Sequence, residues 1–267
     1  MKRNLLLISL LIPTIFLLLA GTFPPRPTLY LIGDSTVKNS SDKGEGGMWG
    51  WGHFIGNHLD TTRLTVENHA IGGRSSRTFL AEGRWDRIMA TLKPGDFVMM
   101  QFGHNDAGAI NDTIRARGTI RGIGEETEAI DNLLTKKHEV VHSYGWYIRK
   151  YVTDTQAKGA IPIVLSLVPR NGWKAGKIVR ATDSYGTWAA DVAKKEGAYF
   201  IDLNEQVAAK YDALRDSITL QTTYFVSDHT HTNAAGARLN AATVIEALGQ
   251  QKACPLNRYV VNRSRKY

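Results

Sequence analysis

Five short apolar runs recur along this chain, and segments with helical patterning fill the gaps between them. The runs cover residues 29–32, 64–68, 96–102, 161–168 and 198–203. They read as strands buried on both faces, because apolar residues occupy consecutive positions rather than alternating ones. Helical patterning covers 51–59, then 77–92, where Pro94 and Gly95 act as the stop. Val141, Tyr144, Ile148 and Val152 fall on one face of a third helix, and residues 185–196 make a fourth. Gly159 and Gly197 end those two. Ala237, Ala241, Val244 and Leu248 mark the buried stripe of a closing helix. A crossover helix between successive strands is what parallel pairing requires. The pattern therefore predicts one α/β domain, a three-layer α/β/α sandwich around a flavodoxin-like five-stranded parallel sheet.

In such sheets the functional groups gather where strands end. Gly33-Asp34-Ser35 follows the first run and Gly72-Gly73-Arg74-Ser75 the second. Gly103-His104-Asn105-Asp106 follows the third and Pro169-Arg170-Asn171 the fourth. All four clusters are predicted to share one edge. Residues 107–137 are polar and glycine-rich without clear periodicity, and are expected to form an ordered flap beside that edge.

The termini read differently. A basic start, Met1-Lys2-Arg3, precedes an apolar stretch over 5–20 that ends in small residues. Residues 1–20 are expected to be a cleaved signal peptide, since the stretch is short for a membrane span and contains Pro13. Residues 21–250 would be the domain and 251–267 a basic tail. The expected location is periplasmic or extracellular, with no membrane attachment after cleavage. The net charge of +8 falls to +6 once Lys2 and Arg3 leave, because no acid leaves with them. That excess suits acidic partners or a plain basic surface. No basic block with interleaved aromatics points to nucleic acid. A single cysteine, Cys254, excludes an internal disulfide.

Ser35 alone reads as a turn or cap residue. What raises it is Asp228-His229-Thr230-His231, expected on a late loop before the closing helix. A serine becomes a nucleophile when a base takes its proton and a third group orients the base. The spacing lets one loop present both Asp228 and a histidine, and residue spacing leaves His229 as a rival to His231. Gly73 can bring a backbone N–H close to a developing oxyanion, and Asn105 can offer its amide. Taken singly, each is also an ordinary turn residue. The nucleophile-elbow pattern Gly-x-Ser-x-Gly is absent around Ser35.

These blocks together resemble the SGNH (GDSL) hydrolase superfamily. The match rests on Gly33-Asp34-Ser35, Asn68 through Ser75, Gly103 through Asp106, and Asp228 through His231. Gly33-Asp34-Ser35-Thr36, Gly50-Trp51-Gly52, Gly73-Arg74-Ser75 and the two histidines make it similar, more narrowly, to the rhamnogalacturonan acetylesterase branch. The resemblance implies Ser35 as nucleophile, His231 as base and Asp228 as its partner. It also implies an oxyanion hole from the Ser35 N–H, Gly73 and Asn105, and no metal or other cofactor. The histidines show no compact ligand spacing with carboxylates. The implied reaction is removal of acetyl groups from an acidic plant polysaccharide or oligosaccharide.

Trp51, Trp173 and Trp49 fit either sugar stacking or core packing. Arg74, Arg170 and Lys174 fit either substrate carboxylates or solvated surface, and Arg74 also fits a scaffold role. Other readings stay open: a xylan or oligosaccharide acetylesterase, a lysophospholipase or thioesterase, or a non-catalytic glycan binder. The polar, charged loops offer little to a long acyl chain.

Overall fold

A computed structural model describes residues 26–41 and 44–261. The expected signal peptide and the last six residues lie outside the described residues. The central sheet has five parallel strands: β1 (Thr28–Gly33), β2 (Thr65–Asn68), β3 (Phe97–Gln101), β6 (Ile161–Leu165) and β9 (Tyr199–Ile201). Their order across the sheet is β2-β1-β3-β6-β9. Two antiparallel hairpins stand apart from it. One pairs β4 (Thr127–Asp131) with β5 (His138–His142), the other β7 (Trp173–Lys174) with β8 (Lys177–Ile178).

Strand geometry sends successive side chains to opposite faces, and here both faces are covered. Leu29 and Leu31 of β1, Phe97 and Met99 of β3, and Ile163 and Leu165 of β6 enter one core. Tyr30, Ile32, Val98, Met100 and Val164 enter the other. The first core is closed by α5 (Leu203–Asp212), α6 (Ser217–Tyr224) and α7 (Ala234–Gln250). The second is closed by α1 (Ser76–Ala81), α2 (Arg84–Thr91), α3 (Tyr144–Ala157) and α4 (Tyr185–Lys195). This is the expected three-layer α/β/α sandwich with its five-stranded parallel sheet.

Several local expectations are corrected. Residues 51–59 form two 3-10 turns, Trp51–His53 and Ile55–His58, not one α-helix. A Cβ on Gly52 would lie 2.4 Å from the Val37 carbonyl, so this segment lies tight against the turn after β1. The 77–92 segment breaks at Gly83, whose φ of 65° is left-handed. Val141 sits in β5, and α3 begins after the Ser143 cap, whose hydroxyl accepts from the Trp146 N–H at 3.1 Å. The expected tail also needs correction. Cys254, Leu256 and Tyr259 are buried in the first core, so the chain packs onto the domain as far as Val260.

Candidate active site

The sheet order reverses direction between β1 and β3, the point where open α/β sheets leave a crevice beyond their strand ends. Ser35 lies just past β1, the Gly72-Gly73 turn past β2, and Asn105 past β3. Gly33 ends β1 because nothing larger fits: a Cβ there would meet the Gln101 carbonyl at 2.6 Å and Val37 Cγ2 at 2.7 Å. The chain then turns tightly. The Asp34 carbonyl accepts from the N–H groups of Val37 and Lys38, and Asp34 Oδ1 from the Thr36 N–H and Oγ1. Below the turn, Trp51 Nε1 donates to Gln101 Oε1 at 2.9 Å, and Gln101 Nε2 donates to Thr36 Oγ1 at 2.7 Å. This buried chain of hydrogen bonds fixes the segment that carries Ser35.

Ser35 Oγ lies 2.9 Å from His231 Nε2. His231 Nδ1 lies 2.7 Å from Asp228 Oδ2. Asp228 Oδ1 accepts from the backbone N–H groups of Thr230 and His231, each at 2.7 Å. Burial works against the Asp228 charge, but the His231 ring and those two N–H groups outweigh it and hold the carboxyl below its usual range. His229 is excluded from this chain of contacts; its carbonyl instead accepts from the Asn171 N–H. The loop is braced on several sides. Gln221 of α6 donates to the carbonyls of Val226 and Asp228, and Trp49 exchanges two hydrogen bonds with Thr232.

On the other side of Ser35, Gly73 has a φ of 78°, which a residue with a Cβ rarely adopts. Asn105 Nδ2 donates to the Arg74 carbonyl at 2.8 Å, which fixes the amide's orientation. An amide carries two N–H donors, so one remains after that bond. Ser35, Gly73, Asn105 and His231 line one cavity of about 490 Å³. His104 is buried in its wall, and burial pushes its imidazole down to about 4.

The proposed sugar-binding residues fare unevenly. Trp51 is 1% exposed and belongs to the core, held by Gln101. Trp173 packs against the same core and bonds Asn171 Oδ1, away from the cavity. Trp49 meets His53 edge-on and Phe54 at a tilt. Arg74 pairs with Glu82, donates to the Gly72 carbonyl and stays outside the main cavity. Lys174 is exposed and absent from that cavity. Arg170 does line it, and also donates to Thr230 Oγ1 at 2.8 Å, which steadies the His231 loop.

Sequence reasoning missed the flap's anchorage. Arg77 on α1 is 1% exposed and makes a two-pronged pair with Glu139 of β5, both contacts at 2.7 Å. Its remaining nitrogen donates to the carbonyls of Ile110 and Gly118. Arg117 then reaches the Gly73 carbonyl at 3.1 Å and lines the cavity. Arg115 and Arg117 bring this segment to the cavity, and β4 closes it against β5. Asp106, the last residue of the third strand-end cluster, has a structural role that the sequence did not reveal. It accepts from the N–H groups of Gly103 and Ser76 and from the Ser76 hydroxyl, tying the end of β3 to the start of α1.

Residues 31–239 match the GDSL-like lipase/acylhydrolase family. This chain belongs to that family. A rhamnogalacturonan acetylesterase of Emericella nidulans is 32% identical, over 83% of this chain and 84% of that protein. A probable rhamnogalacturonan acetylesterase of Bacillus subtilis, YesY, is 30% identical over 87% and 97%. Among solved structures, YxiM of Bacillus subtilis superposes with a TM-score of 0.68 at 25% identity, covering 85% of this chain and 57% of that one. A variant of Axe2, an acetyl xylan esterase from Geobacillus stearothermophilus, has a TM-score of 0.55 at 16% identity, covering 89% and 97%. At that identity the likeness is one of fold. The family and its relatives make the chain a carboxylic-ester hydrolase of the GDSL type.

Proposed function

We propose that this protein is an exported carbohydrate esterase that removes acetyl groups from an acidic pectic polysaccharide through an acetyl-enzyme. The observation that carries the chemistry is the Ser35–His231–Asp228 chain opening onto the cavity. Ser35 Oγ attacks the acetyl carbonyl carbon while its proton passes to His231 Nε2. Asp228 holds the ring by Nδ1 and stabilises the imidazolium. Negative charge develops on the carbonyl oxygen, where the N–H groups of Ser35 and Gly73 and the second amide N–H of Asn105 receive it. Collapse breaks the bond to the sugar oxygen, which takes the proton back from His231. Water then attacks the acetyl-enzyme with His231 again as base, and acetate leaves.

A short acyl group fits this cavity. Most of the side chains lining it are polar or charged, with Met48 and Ile71 as the apolar ones. A long acyl chain would need a broad apolar groove instead. The pectic substrate is supported by the two relatives named as rhamnogalacturonan acetylesterases. Export is supported by the basic start and apolar run of residues 1–20. The test is Ser35→Ala against a chromogenic acetate ester and acetylated rhamnogalacturonan. Turnover should fall by about 10³-fold or more on both. Undiminished turnover on the small ester would remove Ser35 as nucleophile. Acetate release from acetylated xylan but not from pectin would replace the pectic substrate.

A further inference from the structure

Two cavities meet at the flap. The second, about 270 Å³, shares Gly73, Arg115 and Arg117 with the first, so these residues form a common wall. Beyond the wall, Ile114 and Leu134 present exposed apolar surface to the second cavity. The two cavities thus continue from Ser35 past the wall to Ile114 and Leu134.

The charge along this wall is unbalanced. Among the described residues, Lys38, Arg115, Arg117 and Arg170 line the first cavity with one carboxylate, Glu45, which Lys38 already holds at 2.7 Å. In the second cavity Glu82 is taken by Arg74 and Arg84. The acids whose fields reach Arg117 are Asp34, Asp106 and Asp112. None of them makes an ion pair with Arg117 among the described residues: Asp34 Oδ1 accepts from Thr36, Asp106 from Ser76 and Gly103, and Asp112 from three backbone N–H groups of the flap. Among the described residues the guanidinium of Arg117 bonds only the Gly73 carbonyl, and Arg115 repels it. Two like charges face the cavities, and neither makes a direct ion pair among the described residues, so their forks are free to take an anion from a ligand.

The backbone holds them there. Asp112 Oδ1 accepts from the N–H groups of Ile114, Arg115 and Ala116, and Ala116 sits at a positive φ of 39°. Arg77 clamps the flap on both sides of this turn, at Ile110 and Gly118. Little ordering remains to be done when a ligand arrives.

We infer that Arg115 and Arg117 form a carboxylate subsite which receives a uronic acid residue next to the acetylated sugar, while Ile114 and Leu134 meet the apolar face of a further ring. The inference rests on the proposed glycan esterase activity and assigns its selection of acidic over neutral chains to the flap. Arg115 is the residue to test, because Arg117 also positions Gly73.

The experiment separates binding from turnover. Unacetylated oligogalacturonide, and the same oligosaccharide with its carboxylates reduced to alcohols, are titrated calorimetrically into the Ser35→Ala protein. The acidic form should bind more tightly, and its affinity should fall as salt rises. Adding Arg115→Gln should lower that acid preference by about tenfold, the loss of one charge-assisted hydrogen bond. Arg115→Lys should restore part of it, since it keeps charge without the planar fork. Equal binding of the two forms, or an acid preference unchanged by Arg115→Gln, overturns the subsite. Acetate release from acetylated pectin by the parent protein is measured alongside. Its presence with equal binding leaves the esterase standing and removes the subsite; its absence removes the pectic reading itself.

Discussion

Replacing Arg77 with methionine should loosen the flap and destabilise the whole domain. The change keeps most of the methylene packing of a side chain that is 1% exposed, and removes the guanidinium alone. Glu139 then loses both contacts at 2.7 Å, and the carbonyls of Ile110 and Gly118 lose their donor. Breaking a buried pair from one side costs about 3–5 kcal/mol. The Glu139 side chain is 21% exposed, so water recovers part of its solvation and the lower end, about 3 kcal/mol, applies. For a domain of this size that corresponds to a fall in Tm of roughly 6–12 °C. Burial opposes the Glu139 charge, but Arg77 and Asn132 hold its carboxyl below the usual value, and without Arg77 it should rise. Denaturant unfolding of Arg77→Met, Glu139→Gln and the double variant gives the coupling directly. The double variant should be more stable than the sum of the two singles implies. Additive losses, or a cost for Arg77→Met below about 1 kcal/mol, would show that the pair does not clamp the flap.

Three further outcomes follow from the same contacts. Trp51→Phe strands a buried Gln101 oxygen and should cost about 1–3 kcal/mol by denaturant unfolding, while leaving oligosaccharide affinity in place; a loss of affinity without a loss of stability would return Trp51 to the substrate. Asp228→Asn removes the charge that orients His231 and should lower kcat on a small acetate ester by about 10³–10⁴-fold, with a normal unfolding curve. Burial raises the Asp106 carboxyl to about 7 against the Ser76 donors, so in the window between about 4 and 7 the folded state binds more protons than the unfolded one. Its contribution to stability is therefore greatest below the unfolded value and declines as pH rises towards 7. Asp106→Asn should flatten this slope, and an unchanged slope would assign it to another group.

The strands were legible because each buried run carries its own signal. Leu29 to Ile32 and Phe97 to Met100 are apolar at consecutive positions, as burial on both sheet faces demands. The polar clusters at the strand ends were legible for the same reason, since each lies next to its strand in the chain. The helices α5 and α6 were harder. The first begins at Leu203, directly after a strand, and the second has almost no one-sided apolar stripe, with Leu220 alone buried. The hairpin of β4 and β5 escaped notice because its strands are mostly exposed and polar.

The amino-acid sequence by itself determined the parallel sheet, the shared edge, and the set Ser35, Gly73, Asn105 and Asp228 with a histidine beside it. What it left open was decided by contacts between residues far apart in the chain. Residue spacing did not separate His231 from His229; the loop's path, braced by Gln221 and Trp49, puts the former on Ser35. Gly50-Trp51-Gly52 suits a sugar platform or a core wedge equally, and only Gln101, fifty residues away, draws the ring inward. Arg77 reads as one more surface cation of a helix until Glu139 and the flap carbonyls close around it. Patterns of burial are local and periodic, so a chain displays them openly. The partner of a buried charge or an indole N–H is set by folding, and no neighbouring residue announces it.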